Sequence, residues 1–341
     1  MSSISCDILV IGGGPAGMIV ATTAKSYYPD KKIVIVRKNK DALVPCAIPY
    51  IFGSTLDSSD KNIVPIGKIT ESGVELIFDE IVDVEFEKKS AKGANGDNYT
   101  YDKLVFATGS VPNIPESLGG VHSCGVYTVP KEREKIDALK SATKNHNKIV
   151  IVGTGFIGLE VALELAEAGK EVTLLGDQSR VLQNALDKEF SDIAEEILQQ
   201  KGVKLLKNQR ISEILCNIDK TTGVRTESGE TIDTDFVILG IGYHPETSLA
   251  KKLGLRLGKK GAIWVDEYMR TEVKDVFAIG DCASKQHFIT RKTSNIMLAS
   301  TSTAEARICA TSMYTIEYIK GFSGTIAIFS TVLGNTNFAS A

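Results

Sequence analysis

The chain of 341 residues has little of what builds metal or electron-cluster sites. Its four histidines stand far apart, and its six cysteines (Cys6, Cys46, Cys124, Cys216, Cys282 and Cys309) include no C-x-x-C pair, which excludes the common zinc and iron–sulfur spacings. No apolar run reaches the roughly 18 residues that a membrane-spanning helix needs, and the N-terminal apolar run reads as a strand and glycine turn, not as a leader. Charge of one sign is also missing. With 39 basic and 42 acidic residues spread along the chain, the net charge of −3 supplies neither a nucleic-acid stripe nor a membrane-binding patch. The densest charged run, Lys131 to Lys135, alternates with Glu132 and Glu134 and reads as a solvated helix face. At 43% hydrophobic residues the chain can fill two or three domain cores without disulfides, so a cytoplasmic, reducing setting is expected. Any cysteine that matters should matter as a thiol.

What is abundant is glycine at strand ends. Ile8-Leu9-Val10-Ile11 runs into Gly12-Gly13-Gly14-Pro15-Ala16-Gly17 and then an apolar helical segment from Met18 to Ala24. Gly12 allows a tight turn, Gly14 lets a diphosphate approach, and Gly17 lets helix and strand pack closely. Pro15 fits the first helical turn, where its missing N–H costs no hydrogen bond. The unpaired amides at that helix start favour an anion. The pattern recurs at Ile149 to Glu160, with Gly153, Gly155 and Gly158 at the same spacing. Each copy is followed by a second apolar strand, Ile33 to Val36 and Val172 to Leu175, which completes two β-α-β units. Two dinucleotide sites in one chain imply a pair of cofactors.

The segment from Leu43 to Gly53 holds a lone cysteine between two prolines, Pro45-Cys46-Ala47-Ile48-Pro49-Tyr50. Pro45 biases Val44 toward extended geometry and Pro49 is tolerated only in a first turn, so a helix is expected to begin close to Cys46. A thiol at a helix start is the better nucleophile, whereas a cysteine in an apolar segment commonly just packs. The local residues leave both readings open.

The two glycine turns, P-C-x-I-P-Y about thirty residues after the first, and Ala278-Ile279-Gly280-Asp281 together resemble the flavin-dependent pyridine nucleotide–disulfide oxidoreductases. The resemblance spans almost the whole chain. The dithiol members carry C-x-x-x-x-C, but here Asp41 and Ile51 occupy the two candidate partner positions. Cys46 therefore is similar to the redox cysteine of the single-cysteine branch, which includes coenzyme A-disulfide reductases, NADH oxidases and peroxidases, and NAD(P)H persulfide or sulfur reductases. The resemblance implies an α/β fold of two Rossmann-like domains of the glutathione-reductase type, the nicotinamide domain inserted in the flavin domain. The boundaries expected are 1–113 and 244–320 for FAD and 114–243 for NAD(P)H. Residues 321–341 would open a C-terminal dimerisation domain, its first strand over Gly324 to Val332, which is truncated here; full-length relatives are homodimers.

For FAD, the resemblance implicates Gly12, Gly14, Pro15, Ala16 and Gly17 at the diphosphate, the backbone at Ile81 and Val82 at the adenine, and the turn Ala107-Thr108-Gly109. Asp281 would cap the ribityl hydroxyls, and a helix over Asn295 to Ile308 would bring Leu298 and Ala299 to the flavin pyrimidine ring. Arg37 and Lys38 stand where an acidic residue ordinarily holds the adenosine ribose, so either a backbone group substitutes or these side chains lie over the adenine or near a phosphate. For NAD(P)H it implicates Gly153, Gly155, Phe156, Ile157, Gly158, Glu160, Asp177 and Gly242. Phe156 would be an aromatic lid over the flavin and Glu160 a carboxylate orienting the nicotinamide. Asp177 favours NADH, while Arg180 keeps NADPH open. No metal is implied. The implied activity is a reductase that passes electrons from NAD(P)H through FAD to Cys46 and on to a small disulfide, persulfide or polysulfide. The alternatives are an NADH oxidase or peroxidase acting on O2 or peroxide, ranked lower for peroxidases because Pro15 replaces their histidine, and a slow redox-sensing protein.

Overall fold

The computed structural model describes residues 2–218, 220–294, 296–316 and 320–341, without the side chain of Lys68. The chain forms two compact units, each gathered from three stretches: Met1–Ala42, Val64–Val111 and His244–Ala327 in the first, and Leu43–Ile63, Pro112–Tyr243 and Ile328–Ala341 in the second.

In the first unit, a five-stranded parallel sheet runs in the order Val276–Ala278, Lys103–Phe106, Ile8–Ile11, Ile33–Arg37, Glu75–Phe78. The inner strands are continuously apolar because both faces are covered. Ile8 and Val10 pack toward the helices Pro15–Tyr27 and Ala299–Ser312, whereas Leu9 and Ile11 enter a separate core with Tyr99 and Leu104. Ala21, Ala24, Ala306 and Ala310 are fully buried between the two helices, and small side chains let their backbones come close. A second sheet orders Ser3–Ser5, Asn98–Thr100, Ser90–Gly93 and Ile81–Glu85. The expected helix over 295–308 is shifted: it runs Ala299–Ser312, because Leu298 is still extended at φ −125°, and Asn295 lies outside the described residues.

The second unit repeats the plan, with the parallel order Val126–Thr128, Phe236–Leu239, Lys148–Val152, Glu171–Leu175, Lys204–Leu206 and the helix Phe156–Glu167 following its glycine turn. Both units thus have the Rossmann-type layout of strand, glycine turn, helix and parallel strand. An antiparallel sheet of Ile211–Asn217, Lys220–Thr226 and Thr231–Asp233 completes the unit.

Two stretches pack differently from their expected boundaries. Residues 43–63, read with the first flavin stretch, belong to the second unit because Leu43, Ile48, Ile51 and Phe52 enter its core beside Leu159 and Leu163. The strand expected over 324–332 begins only at Phe329. Gly324 turns at φ +108° and Thr325 bridges to His287, so the extended run is broken before it. Phe329–Leu333 then folds back on Thr336–Ser340 as a hairpin whose Leu333 and Phe338 are buried in the second unit's core, each contributing about 2 kcal/mol of burial.

Gly153 is a severe backbone constraint in the second unit, at φ +118° with the Gly240 carbonyl oxygen 2.4 Å from where a Cβ would lie. Gly153→Ala is expected to cost about 3 kcal/mol or more, read as a lowered urea midpoint with an unchanged slope.

Candidate active site

The residues expected at FAD all lie in the first unit. The helix Pro15–Tyr27 starts at Gly14, which has no side-chain cap, and a Cβ on Gly14 would meet nothing within 4 Å. Gly12 stands at φ +107°, with the Ala107 carbonyl oxygen 2.2 Å from a notional Cβ, and a Cβ on Gly17 would fall 2.0 Å from the Gly12 oxygen. The strand, the 107–109 turn and the helix are therefore drawn together as closely as backbone allows, leaving the amides of the first helical turn facing open space. That is the cradle a diphosphate requires.

Around it, the Thr108 hydroxyl donates to the Glu246 carbonyl at 2.6 Å, and the Glu246 amide donates back to the Gly109 oxygen at 2.9 Å. Asp281 sits in the short turn Gly280–Cys282 and accepts from the Ser110 hydroxyl at 2.7 Å. Leu298 is the N-cap residue of Ala299–Ser312, again with no capping side chain, and Ala299 is exposed. Ile81 is buried and Val82 exposed on the strand Ile81–Glu85. Arg37 and Lys38 part company. Arg37 is folded inward against Gly13, its guanidinium 5.4 Å from the Phe78 ring centre and donating to the Lys40 carbonyl, while Lys38 is exposed and pairs with Glu80 at 2.9 Å. Of the two, only Arg37 lines the glycine loop.

The residues expected at the nicotinamide, together with Cys46, lie in the second unit. Its turn repeats the first: Gly155 is an uncapped N-cap with nothing within 4 Å of a notional Cβ, and a Cβ on Gly158 would fall 2.0 Å from the Gly153 oxygen. Ile157 is half-buried one residue before Gly158. Gly242, at φ +88°, accepts through its carbonyl from the Asn113 amide at 2.9 Å. Asp177 accepts from the Arg210 guanidinium at 2.9 Å, both groups being exposed. Arg210, thirty-three residues away in sequence, gave no signal in the sequence.

Glu160 is the site's unusual group. It is 7% exposed, accepts from the Thr331 hydroxyl at 2.6 Å, and is also reached by the Tyr50 hydroxyl. Burial pushes its carboxyl from 4.5 up to about 7; the two hydroxyls draw it back and the nearby Glu164 adds to the rise. Glu164, one helical turn on, is likewise raised by burial and accepts from the Thr55 hydroxyl at 2.5 Å. Phe156 stacks on Phe329, with ring centres 5.2 Å apart at 28°. The cysteine segment and the C-terminal hairpin are thus both fastened to the helix Phe156–Glu167. Tyr50 and Thr331 were missed by the sequence reading, although Tyr50 stands in the P-C-x-I-P-Y motif and an E-x-x-x-E spacing on an apolar helix was a signal for buried carboxylates.

Cys46 is exposed, and none of the six cysteines is in a disulfide. The helix expected to begin beside it does not form. Two 3-10 turns, Pro45–Ala47 and Pro49–Ile51, take its place, because Pro49 has no N–H to give to the Pro45 carbonyl four residues back. No α-helix starts at this thiol. Cys282 is fully buried and its thiol is pushed up by burial, as suits a packing residue. Among the described residues, no group of three or more His, Cys, Asp and Glu could hold a metal ion, and no helix is long and apolar enough to cross a membrane.

Residues 6–306 match the pyridine nucleotide-disulphide oxidoreductase family. The chain belongs to that family. Membership implies FAD and NAD(P)H as cofactors, and the two open, uncapped cradles fit dinucleotides. A similar relative is an NAD(P)H sulfur oxidoreductase (CoA-dependent) of Pyrococcus abyssi, 35% identical over 291 residues that cover 83% of this chain and 64% of the relative. An NAD(P)H coenzyme A polysulfide/persulfide reductase of Pyrococcus horikoshii is 36% identical over 293 residues, covering 83% and 64%. Among solved structures, an NAD-dependent persulfide reductase from A. fulgidus superposes with a TM-score of 0.89 at 28% identity, over 98% of this chain and 63% of that one. The chain spans a little under two thirds of the length of the relatives it matches.

The Glu160 carboxyl generates a pH dependence of definite sign. Between about pH 4.5 and 7 the folded protein keeps a proton that the unfolded chain releases, so this group's contribution to stability falls as pH rises through that window. Glu160→Gln, a neutral isostere, does not carry this dependence. Urea titrations at pH 5 and pH 8 should show wild type losing about 2–3 kcal/mol relative to Glu160→Gln across the interval.

Proposed function

We propose that this chain is a flavoprotein reductase that carries electrons from NADH to a small disulfide, persulfide or polysulfide by way of Cys46. The observation that carries the reading is the presence of two dinucleotide cradles together with the exposed Cys46, set on a segment fastened to the nicotinamide helix and lacking a second cysteine at the spacing of the dithiol enzymes. The two Pyrococcus relatives and the A. fulgidus structure, whose names specify sulfur, polysulfide or persulfide, support the choice of substrate class.

FAD, when bound, supplies the two-electron chemistry that links a hydride donor to a thiol. The residues of the chain do the rest. The amides after Gly14 and Gly155 bind the diphosphates, and Asp281 and Ser110 hold the ribityl side. The Cys46 thiolate attacks one sulfur of the substrate disulfide, forming a mixed disulfide and expelling the other half as a thiolate, which takes up a proton from solvent. Two electrons and one proton then release the second thiol and return Cys46 as thiolate, so that RSSR, NADH and one proton become two RSH and NAD+. Glu160, with a carboxyl near neutrality, can hold or give up a proton beside the nicotinamide set without leaving a fixed buried charge.

The preference for NADH rests on Asp177, whose carboxylate can accept from ribose hydroxyls and repel a 2′-phosphate. Its partner Arg210 offsets part of that repulsion, which keeps the preference modest.

Cys46→Ser should abolish disulfide- and persulfide-dependent NADH consumption by at least a hundredfold, while NADH still bleaches the bound flavin. Disulfide turnover that survives the substitution sinks the thiol route. Peroxide or water formed in step with NADH, faster than any disulfide reduction, would establish an oxidase instead. Asp177→Ala should lower the NADH-to-NADPH ratio of kcat/KM about tenfold, measured by steady-state kinetics with both nucleotides.

A further inference from the structure

The first unit encloses a buried ion pair. Lys285 Nζ lies 3.2 Å from Glu305 Oε1, and the two side chains are 2% and 0% exposed. Stripping both ions of water is costly, and well-packed apolar side chains of similar volume commonly do as well for stability. The remaining bonds of the pair converge on one peptide segment. Glu305 Oε2 accepts from the Gly280 amide at 2.8 Å, and Lys285 Nζ donates to the Gly280 carbonyl at 2.5 Å and to the Ala283 carbonyl at 3.1 Å.

Gly280 is thereby held by its N–H and its C=O at once, at φ +73° and so close to the first glycine turn that a Cβ would lie 2.9 Å from Ala16 Cβ. The residue it delivers next is Asp281, fixed on its other side by Ser110. Glu305 rides on Ala299–Ser312, the helix whose start at Leu298 is assigned to the flavin ring. One buried pair therefore ties together three separate parts of the proposed flavin set: the glycine cradle at Ala16, the Asp281 turn and the Leu298 helix.

We infer that Lys285 and Glu305 are positioning residues of the flavin site, holding the Gly280–Asp281 turn so that the Asp281 carboxylate faces the ribityl chain. The inference rests on the assignment of the first unit to FAD. It assigns no bond between the pair and the cofactor; the pair acts through Gly280. A charged pair suits the task better than an apolar one because its hydrogen bonds are directional and strong, and only a donor at 285 and an acceptor at 305 can satisfy both ends of the Gly280 peptide.

The test compares wild type, Glu305→Gln and the double variant Lys285→Met/Glu305→Leu, each in full-chain form. FAD affinity is measured by titration of deflavinated protein, the geometry of bound flavin by visible circular dichroism, and folding by the thermal midpoint of the apoprotein. The double variant leaves no unpaired charge, so its apoprotein midpoint should return to within a few degrees of wild type, whereas its FAD affinity should stay at least tenfold weaker with an altered dichroic band. Glu305→Gln keeps the shape and one hydrogen bond to Gly280 and should lose about tenfold in affinity. If either folded variant binds FAD within twofold of wild type with an unchanged band, the pair has only a structural role and the inference is overturned. If wild type itself takes up no FAD, the flavin assignment falls and the inference falls with it.

Discussion

An α-helix that begins on an uncapped glycine leaves its first amides without partners, and each unit of this protein is arranged around one such beginning. The constraint is steric before it is electrostatic. In both copies the backbone of the turn passes so near the adjoining strand and loop that a single methyl group at the turn or at the third glycine would collide with a carbonyl oxygen. The parallel sheets, the apolar strands and the alanine-lined helix contact of the first unit all serve to hold that approach. Anion affinity is then a by-product of geometry the fold needs anyway, which explains how one design serves two different dinucleotides.

That design was legible in the sequence because it is local. Strand, glycine spacing and helix lie within a dozen residues of one another, and the second copy corroborated the first. The tandem prolines of the cysteine segment were also visible, but their effect was misjudged. Read singly, each suits a first helical turn; taken together, four residues apart, the second removes the very N–H that the first turn's carbonyl would have accepted. What the sequence hid was long-range. Tyr50, Glu160 and Thr331 come from three distant stretches, and nothing in a threonine at 331 announces a buried carboxylate partner 171 residues earlier. Likewise Ser110 and Asp281, or Lys285 and Gly280, are brought together by sheet order and helix packing, not by a motif.

The second unit shows how a protein can keep acidic groups inside an apolar core. Glu160 and Glu164 lie on one face of a helix that is otherwise almost entirely aliphatic. Two ionised carboxylates there would repel each other and forfeit hydration. Hydroxyl donors from Thr331, Tyr50 and Thr55 are supplied instead of cations, which gives each carboxyl a hydrogen bond while leaving the charge state free to change. An arginine or lysine in their place would have locked Glu160 in its ionised form. The hydroxyl shell also fastens the cysteine turns and the C-terminal hairpin to the helix Phe156–Glu167, so the stability of that corner and the charge state of Glu160 share the same few bonds.

Residue exposure sorts the cysteines into two equal sets, with Cys46, Cys124 and Cys216 at the surface and Cys6, Cys282 and Cys309 inside. An alkylating probe applied to the native protein therefore has three competing targets, and an adduct count from intact mass would mix them. Site-resolved peptide mapping, or a background in which residues 124 and 216 have been replaced, is what turns labelling into a statement about the sulfur between the two prolines.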